Sequence, residues 1–244
     1  MAPVEQQRQL LGGRTPATLK DLEALVVTCR ACPRLVEWRE EVAEVKRASY
    51  AEDVYWGRPV PGFGDPDAQI AVIGLAPAAH GANRTGRMFT GDRSGEWLYR
   101  AMHRAGLASQ PESESLDDGL TLANAWVTAP VRCAPPGNKP TPTERDTCAT
   151  WFDAELGLLP NVSVFVVLGQ FGYQALWSHL RRSQVDLPSP RPAFGHGAEV
   201  ELEDFTIVTS YHVSQQNTFT GRLTEGMLDD IFNRAVSLAE SSDR

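Results

Sequence analysis

Four short runs of β-branched and other apolar residues punctuate the chain, at residues 69–74, 122–128, 162–168 and 205–210. Each reads as a strand, and each is followed by glycine-, proline- or polar-rich sequence. Around them lie segments of helical character at 19–46, 92–105, 141–158, 171–181 and 224–240. One of these announces its own start: Thr141 is placed to cap it, Pro142 opens the first turn and Glu144 stands three residues on. Strand followed by helix, repeated four times, predicts right-handed crossovers and a parallel sheet. The expected fold is α/β, a three-layer α/β/α sandwich around a central four-stranded parallel sheet.

In an open sheet of this kind, ligands bind beyond the carboxyl ends of the strands. The loops leaving those ends, 75–92, 129–140, 169–172 and 211–223, contain nearly all of the chain's unusual residues. They therefore define one face that carries the chemistry. The Pro/Gly-rich segments at 54–68 and 187–197 adjoin core elements and do not read as linkers, so residues 1–244 are expected to form a single domain. No apolar run approaches the length that spans a bilayer, and MAPVEQQRQLL lacks the basic-then-apolar order of an export signal. The expectation is a soluble, cytoplasmic protein. A net charge of −8 argues against nucleic-acid binding by global attraction. Charge is segregated, however: five arginines and two acids lie between His80 and Arg104, whereas PESESLDDG (111–119) carries four acids and no base.

All four cysteines fall into two pairs, Cys29 with Cys32 as C-x-x-C, and Cys133 with Cys148, with fourteen residues between them. In a cytosolic chain this favours a tetrathiolate metal site over disulfides. Zinc and an iron–sulfur cluster both accept four thiolates, and the loose second pair suits a cluster somewhat better. Four free thiols remain the plain alternative. A metal there would tie the N-terminal helical segment to the loop after the second strand.

The glycine-rich stretch GLAPAAHGANRTGRMFTGD (74–92) contains a superficial phosphate loop, but Arg87 and Met88 stand where a lysine and a hydroxyl would be needed. Its glycines suit the close approach of some other ligand. Asp92 ends the stretch and fits two roles, helix N-cap or a carboxylate that orients water. His212 follows the fourth strand directly and is a candidate functional imidazole. His80 either lines the same cavity or supports the loop; Asn138 in PPGNKP is a turn residue or a polar contact; Phe89 is a core plug or a stacking platform. No G-x-S-x-G nucleophile elbow is present.

These motifs, CRACPRLVEWREE, VPGFGDPDA, GLAPAAHGANRTGRMFTGD, VRCAPPGNKPTPTE and SYHVSQQNTFTGRLT, taken in order along most of the chain, resemble the uracil-DNA glycosylase superfamily, specifically its iron–sulfur family-5 (type B) enzymes. The resemblance implies a four-stranded α/β/α fold, a [4Fe–4S] cluster on Cys29, Cys32, Cys133 and Cys148, and removal from DNA of uracil and of other deaminated bases such as hypoxanthine and xanthine. Where related families carry an acid in the first motif, this chain reads Gly74-Leu75-Ala76-Pro77, as the type B branch does. Asp92, with Asn138 and His212, is implicated instead. Ala129 occupies the position of a base-reading asparagine in sister families.

On this reading Gly74, Leu75, Ala76, His80, Phe89 and Asn138 contact the extruded base. Arg84, Arg87, Gln215, Asn217 and Arg222 hold the DNA, the last three from a loop that fills the gap the base leaves. The expected partner is DNA bearing a deaminated base, met by a monomer away from any membrane. A glycosylase-like protein that binds damaged DNA without turnover, and a zinc-bearing DNA-interaction protein, are the two rivals.

Overall fold

In the computed structural model of the protein, residues 13–242 are described. The MAPVEQQRQLL segment lies outside them. The four apolar runs form β2 (Ile70–Ile73), β3 (Ala125–Thr128), β4 (Val164–Leu168) and β6 (Thr206–Ser210), all parallel. Two short antiparallel edge strands, β1 (Phe63–Gly64) and β5 (Glu199–Glu201), extend the sheet to six in the order β1-β3-β2-β4-β6-β5. The sheet is therefore mixed at its edges: β1 falls within the segment expected as a loop at 54–68, and β5 lies just beyond the one expected at 187–197. Two and three residues are too few to carry a period.

Every residue of β2, β3 and β4 is buried, which is why they read as continuous apolar runs. Alternate side chains feed two cores. Ile70, Val72, Val164 and Val166 face one layer, in which α4 (Arg93–Arg104) and α8 (Glu225–Ser242) supply Leu98, Met102, Leu228 and Phe232. Ala71, Ile73, Phe165 and Val167 face the other, where α5 (Pro142–Leu156) and α6 (Gln170–Arg182) supply Phe152, Tyr173 and Trp177. The capping box at Thr141 forms as its sequence predicts, with Glu144 N–H donating to Thr141 Oγ1 at 3.2 Å and Thr141 N–H to Glu144 Oε2 at 2.7 Å.

The long N-terminal helix expected over 19–46 is instead two, α1 (Leu19–Val26) and α2 (Pro33–Val45). The C-x-x-C segment interrupts it, with Cys32 as the N-cap of α2 and Pro33 in its first turn. The strand expected over 122–128 starts later, after Asn124 adopts a left-handed φ of 54°. Two of the loops contain helical turns, α3 (Ala82–Thr85) and α7 (Gln215–Phe219). Among the described residues no helix is long and apolar enough to cross a membrane.

Candidate active site

The chain leaves β2 toward β3 on one side and β4 on the other, and the loops at this switch point wall a cavity of about 650 Å³. Leu75, Ala76, His80, Phe89, Asp92, Asn138, His212 and Gln215 all line it. Separate loops thus deliver the carboxylate, the imidazoles, the ring and the amide to one place.

Asp92 turns out to be N-cap and cavity wall at once. Its Oδ1 accepts from Gly95 N–H at 3.0 Å, starting α4. Its Oδ2 lies over Gly81, where an added Cβ would stand 2.0 Å away. Burial raises the Asp92 carboxyl above its ordinary value, opposed by the Gly95 and Ser94 N–H groups. Phe89 sits at a left-handed φ of 53°, uncommon for a bulky residue. Tyr99 Oη holds the preceding carbonyl, of Met88, at 2.7 Å, and the Phe89 ring comes 6.2 Å from that of His212.

The glycines of the loop answer to these side chains. An added Cβ at Gly74 would stand 2.6 Å from Phe89 Cζ, and Gly74 does not line the cavity. Gly74 makes room for the ring rather than for a ligand, which corrects the expectation from sequence.

His212 leaves β6 and is fixed from both sides. Asn217 Nδ2 donates to its carbonyl at 2.8 Å, and Gly169 packs against its Cβ. Burial lowers its pKa to about 4, so the ring is neutral at physiological pH. A neutral imidazole still has an N–H to donate. His80 Nδ1 meets Tyr55 Oη at 3.0 Å, and burial, then Arg47 and Arg84, lower its pKa.

Several residues expected to hold DNA do other work. Arg87 is buried, bonded to Thr90 Oγ1, Ser113 Oγ and Asp118, at 2.9, 3.1 and 2.6 Å, and has no face to offer a phosphate. Arg84 is spent on Asp53 at 2.6 Å and on the His80 and Gly91 carbonyls, with its guanidinium over Tyr50. Asn217 turns inward to His212. Arg222 stacks on Tyr211 away from the cavity lining, and Gln215 remains exposed on α7. The lining also includes Arg47, Tyr50, Arg93 and Lys139, none of them singled out from sequence. Arg47 and Tyr50 precede the first strand, so no rule about loops after strands points to them.

The four cysteines line a second, small cavity together with Arg132 and Trp151. As bare thiols, three of them are held protonated: burial, then Cys133 and Cys29, pushes Cys32 to about 12, and burial pushes Cys133 to about 11 and Cys148 higher still. Among the described residues no three His, Cys, Asp or Glu side chains converge on a position for a single ion. The surroundings are rich in donors. Arg39 Nη1 donates to Cys133 Sγ at 3.0 Å and Arg132 N–H to Cys148 Sγ at 3.3 Å. Arg39 Nε, Arg132 Nε and Nη1, and Trp151 Nε1 are buried without partners. Thiols beside buried cations and unsatisfied N–H groups fit an anionic, thiolate-bound group.

A parallel sheet with a carboxylate, an imidazole and an aromatic ring around its switch-point cavity defines a class, and the model of the uracil DNA glycosylase superfamily matches residues 61–235. The "Type-5 uracil-DNA glycosylase" of Mycobacterium tuberculosis is 54% identical over 232 residues, 94% of this chain and 84% of that protein. That of Thermus thermophilus is 54% identical over 223 residues, 90% and 99% of the two chains. That of Pyrobaculum aerophilum is 42% identical over 212 residues, 87% and 89%. The chain belongs to the type-5 family of the uracil DNA glycosylase superfamily.

Proposed function

We propose that the chain is a DNA glycosylase that extrudes uracil from DNA and hydrolyses its N-glycosidic bond, leaving an abasic site. The observation that carries this reading is the meeting of Asp92, His212 and Phe89 around one cavity. An enzyme cannot reach the bond inside a duplex, so the nucleotide leaves the stack, at a cost lowest for mispaired bases. Phe89 offers its ring to the base and Asn138, at the exposed lip, its amide to the polar edge.

As the bond from C1′ to the base breaks, its electron pair leaves with the base and positive charge grows on the sugar. His212, neutral, donates an N–H hydrogen bond to the developing anion, a contact of a kind worth about 3 to 4 kcal/mol. Asp92, ionised, orients water toward C1′ and accepts its proton as the C1′–O bond forms. The products are an abasic sugar and the free base.

Cys29, Cys32, Cys133 and Cys148 would hold a [4Fe–4S] cluster. Bound, it would supply a covalent tie between α1–α2 and the β3–α5 connection, with Arg39 Nη1 donating to Cys133 Sγ and the Arg132 backbone N–H to Cys148 Sγ. Hypoxanthine and xanthine belong to the same substrate range. The cavity volume of about 650 Å³ supports this breadth. Incubation with DNA carrying uracil, hypoxanthine or xanthine, followed by detection of abasic sites and released base, tests the proposal. Release of uracil is the expected result. Tight binding without release would instead favour a damage sensor.

A further inference from the structure

Helix α2 links the two cavities. Its N-cap, Cys32, lines the thiol cavity; the helix runs 13 residues, about 20 Å along its axis, and the chain then emerges at Arg47 and Tyr50 on the lining of the larger cavity. The helix is pinned midway. Buried Arg39 bonds Cys133 Sγ and the Cys29 carbonyl with its side chain, and its own carbonyl accepts from buried Asn83 Nδ2 at 3.1 Å. Asn83 lies in α3, so the same contact fixes the loop that carries His80 and Asp92.

The cations around the mouth differ in what they have left to give. Arg84 and Arg87 are committed to Asp53 and Asp118, and Arg93 lies over the ring of Phe219 at 4.5 Å. Arg47 is exposed and, among the described residues, forms no ion pair. Its backbone is anchored, with the carbonyl accepting from Tyr50 N–H at 2.8 Å in the turn Ala48–Tyr50. The Tyr50 ring, 4.0 Å from the Arg84 guanidinium, closes the same wall. Lys139 is the other cation left on the lining, on a short exposed turn beside Asn138.

We propose that Arg47 is a substrate-binding residue that holds a phosphate of the DNA strand beside the extruded nucleotide, with α2 setting its position from the thiol site. This rests on the glycosylase reading above and adds a contact to it. An uncommitted guanidinium, carried at the mouth on an anchored backbone, is placed to meet the phosphate next to a nucleotide whose base has entered the cavity. That contact orients the strand and carries no base information, so it acts equally on every substrate base.

The test compares wild type with Arg47→Ala and Arg47→Lys on a uracil-containing oligonucleotide, measuring KM, kcat and the salt dependence of Kd. Arg47→Ala should raise KM about tenfold, leave kcat within about twofold, and flatten the slope of log Kd against log salt by about 0.7 to 0.9, one phosphate contact. Arg47→Lys should restore the slope and most of KM. An unchanged KM and slope in Arg47→Ala would overturn the inference, as would a fall in kcat with KM unaltered. If wild type itself releases no base, the glycosylase reading fails; the salt slope of binding still judges Arg47 separately.

Discussion

At the residue scale Asp92 uses its two oxygens for two purposes, one capping α4 and the other facing the cavity over Gly81. The two are separable by mutation, because asparagine caps a helix as well as aspartate does. Asp92→Asn should therefore keep the melting temperature while lowering single-turnover base release by about 10²-fold or more. Asp92→Ala should lose the cap as well, about 1 kcal/mol of stability. Gly81→Ala is a complementary probe: its methyl would displace the carboxylate and with it the cap, so activity should fall at least about tenfold and stability by about 1 kcal/mol or more, as a thermal-shift and single-turnover pair would show.

His212 gives a pH signature. Its folded pKa of about 4 lies below the ordinary 6.5, so between these values the unfolded chain binds the extra proton. Stability from this group is full above pH 6.5 and is lost as pH falls toward 4, by at most about 3 kcal/mol. Denaturant titrations from about pH 7 to 4 should show that loss, and His212→Gln should flatten it while costing about 10²- to 10³-fold in rate. The rate should also decline on the acid side at a pH above the usual carboxylate range, since ionised Asp92 is required and its pKa is raised. Asp92 and His212 were legible as cavity residues because both directly flank a predicted element. Arg87 was misassigned, since nothing local tells that its partner is Asp118, thirty-one residues away.

At the scale of elements, the four parallel strands were legible because strands buried on both faces stay apolar throughout. The edge strands β1 and β5 were not, being short and partly exposed. The break between α1 and α2 was hidden by continuous helical character, although Pro33 directly after Cys32 marked it. That break matters because it lets two helices pack around the thiol cavity, with Leu22 and Val26 of α1 against Cys148 and Trp151 of α5. A thiolate-bound group there would fasten α1, α2 and α5 together. For the proposed cluster, stripping its iron with a chelator should lower the melting temperature and increase amide exchange in α1 and α2 while sparing β2 and β4. Unchanged exchange in α1 and α2 would contradict the proposed tie.

At the scale of the whole molecule, a net charge of −8 leaves DNA affinity to a few local cations. Among the described residues, Arg47 and Lys139 around the mouth are the ones left free for it. The slope of log Kd against log salt should correspondingly be shallow, reflecting about two phosphates. Arg47 and Tyr50 escaped the sequence reading because they reach the cavity through α2, from before the first strand, and only the tertiary path of that helix reveals them. The chemistry proposed for the whole molecule is hydrolysis at the cavity. Single-turnover release of free uracil from DNA, measured for wild type and Asp92→Asn, tests it most directly. Free uracil matching the abasic sites formed by wild type, and a rate about 10²-fold or more lower with Asp92→Asn, is the expected result; binding without release, or equal rates in the two proteins, would contradict it.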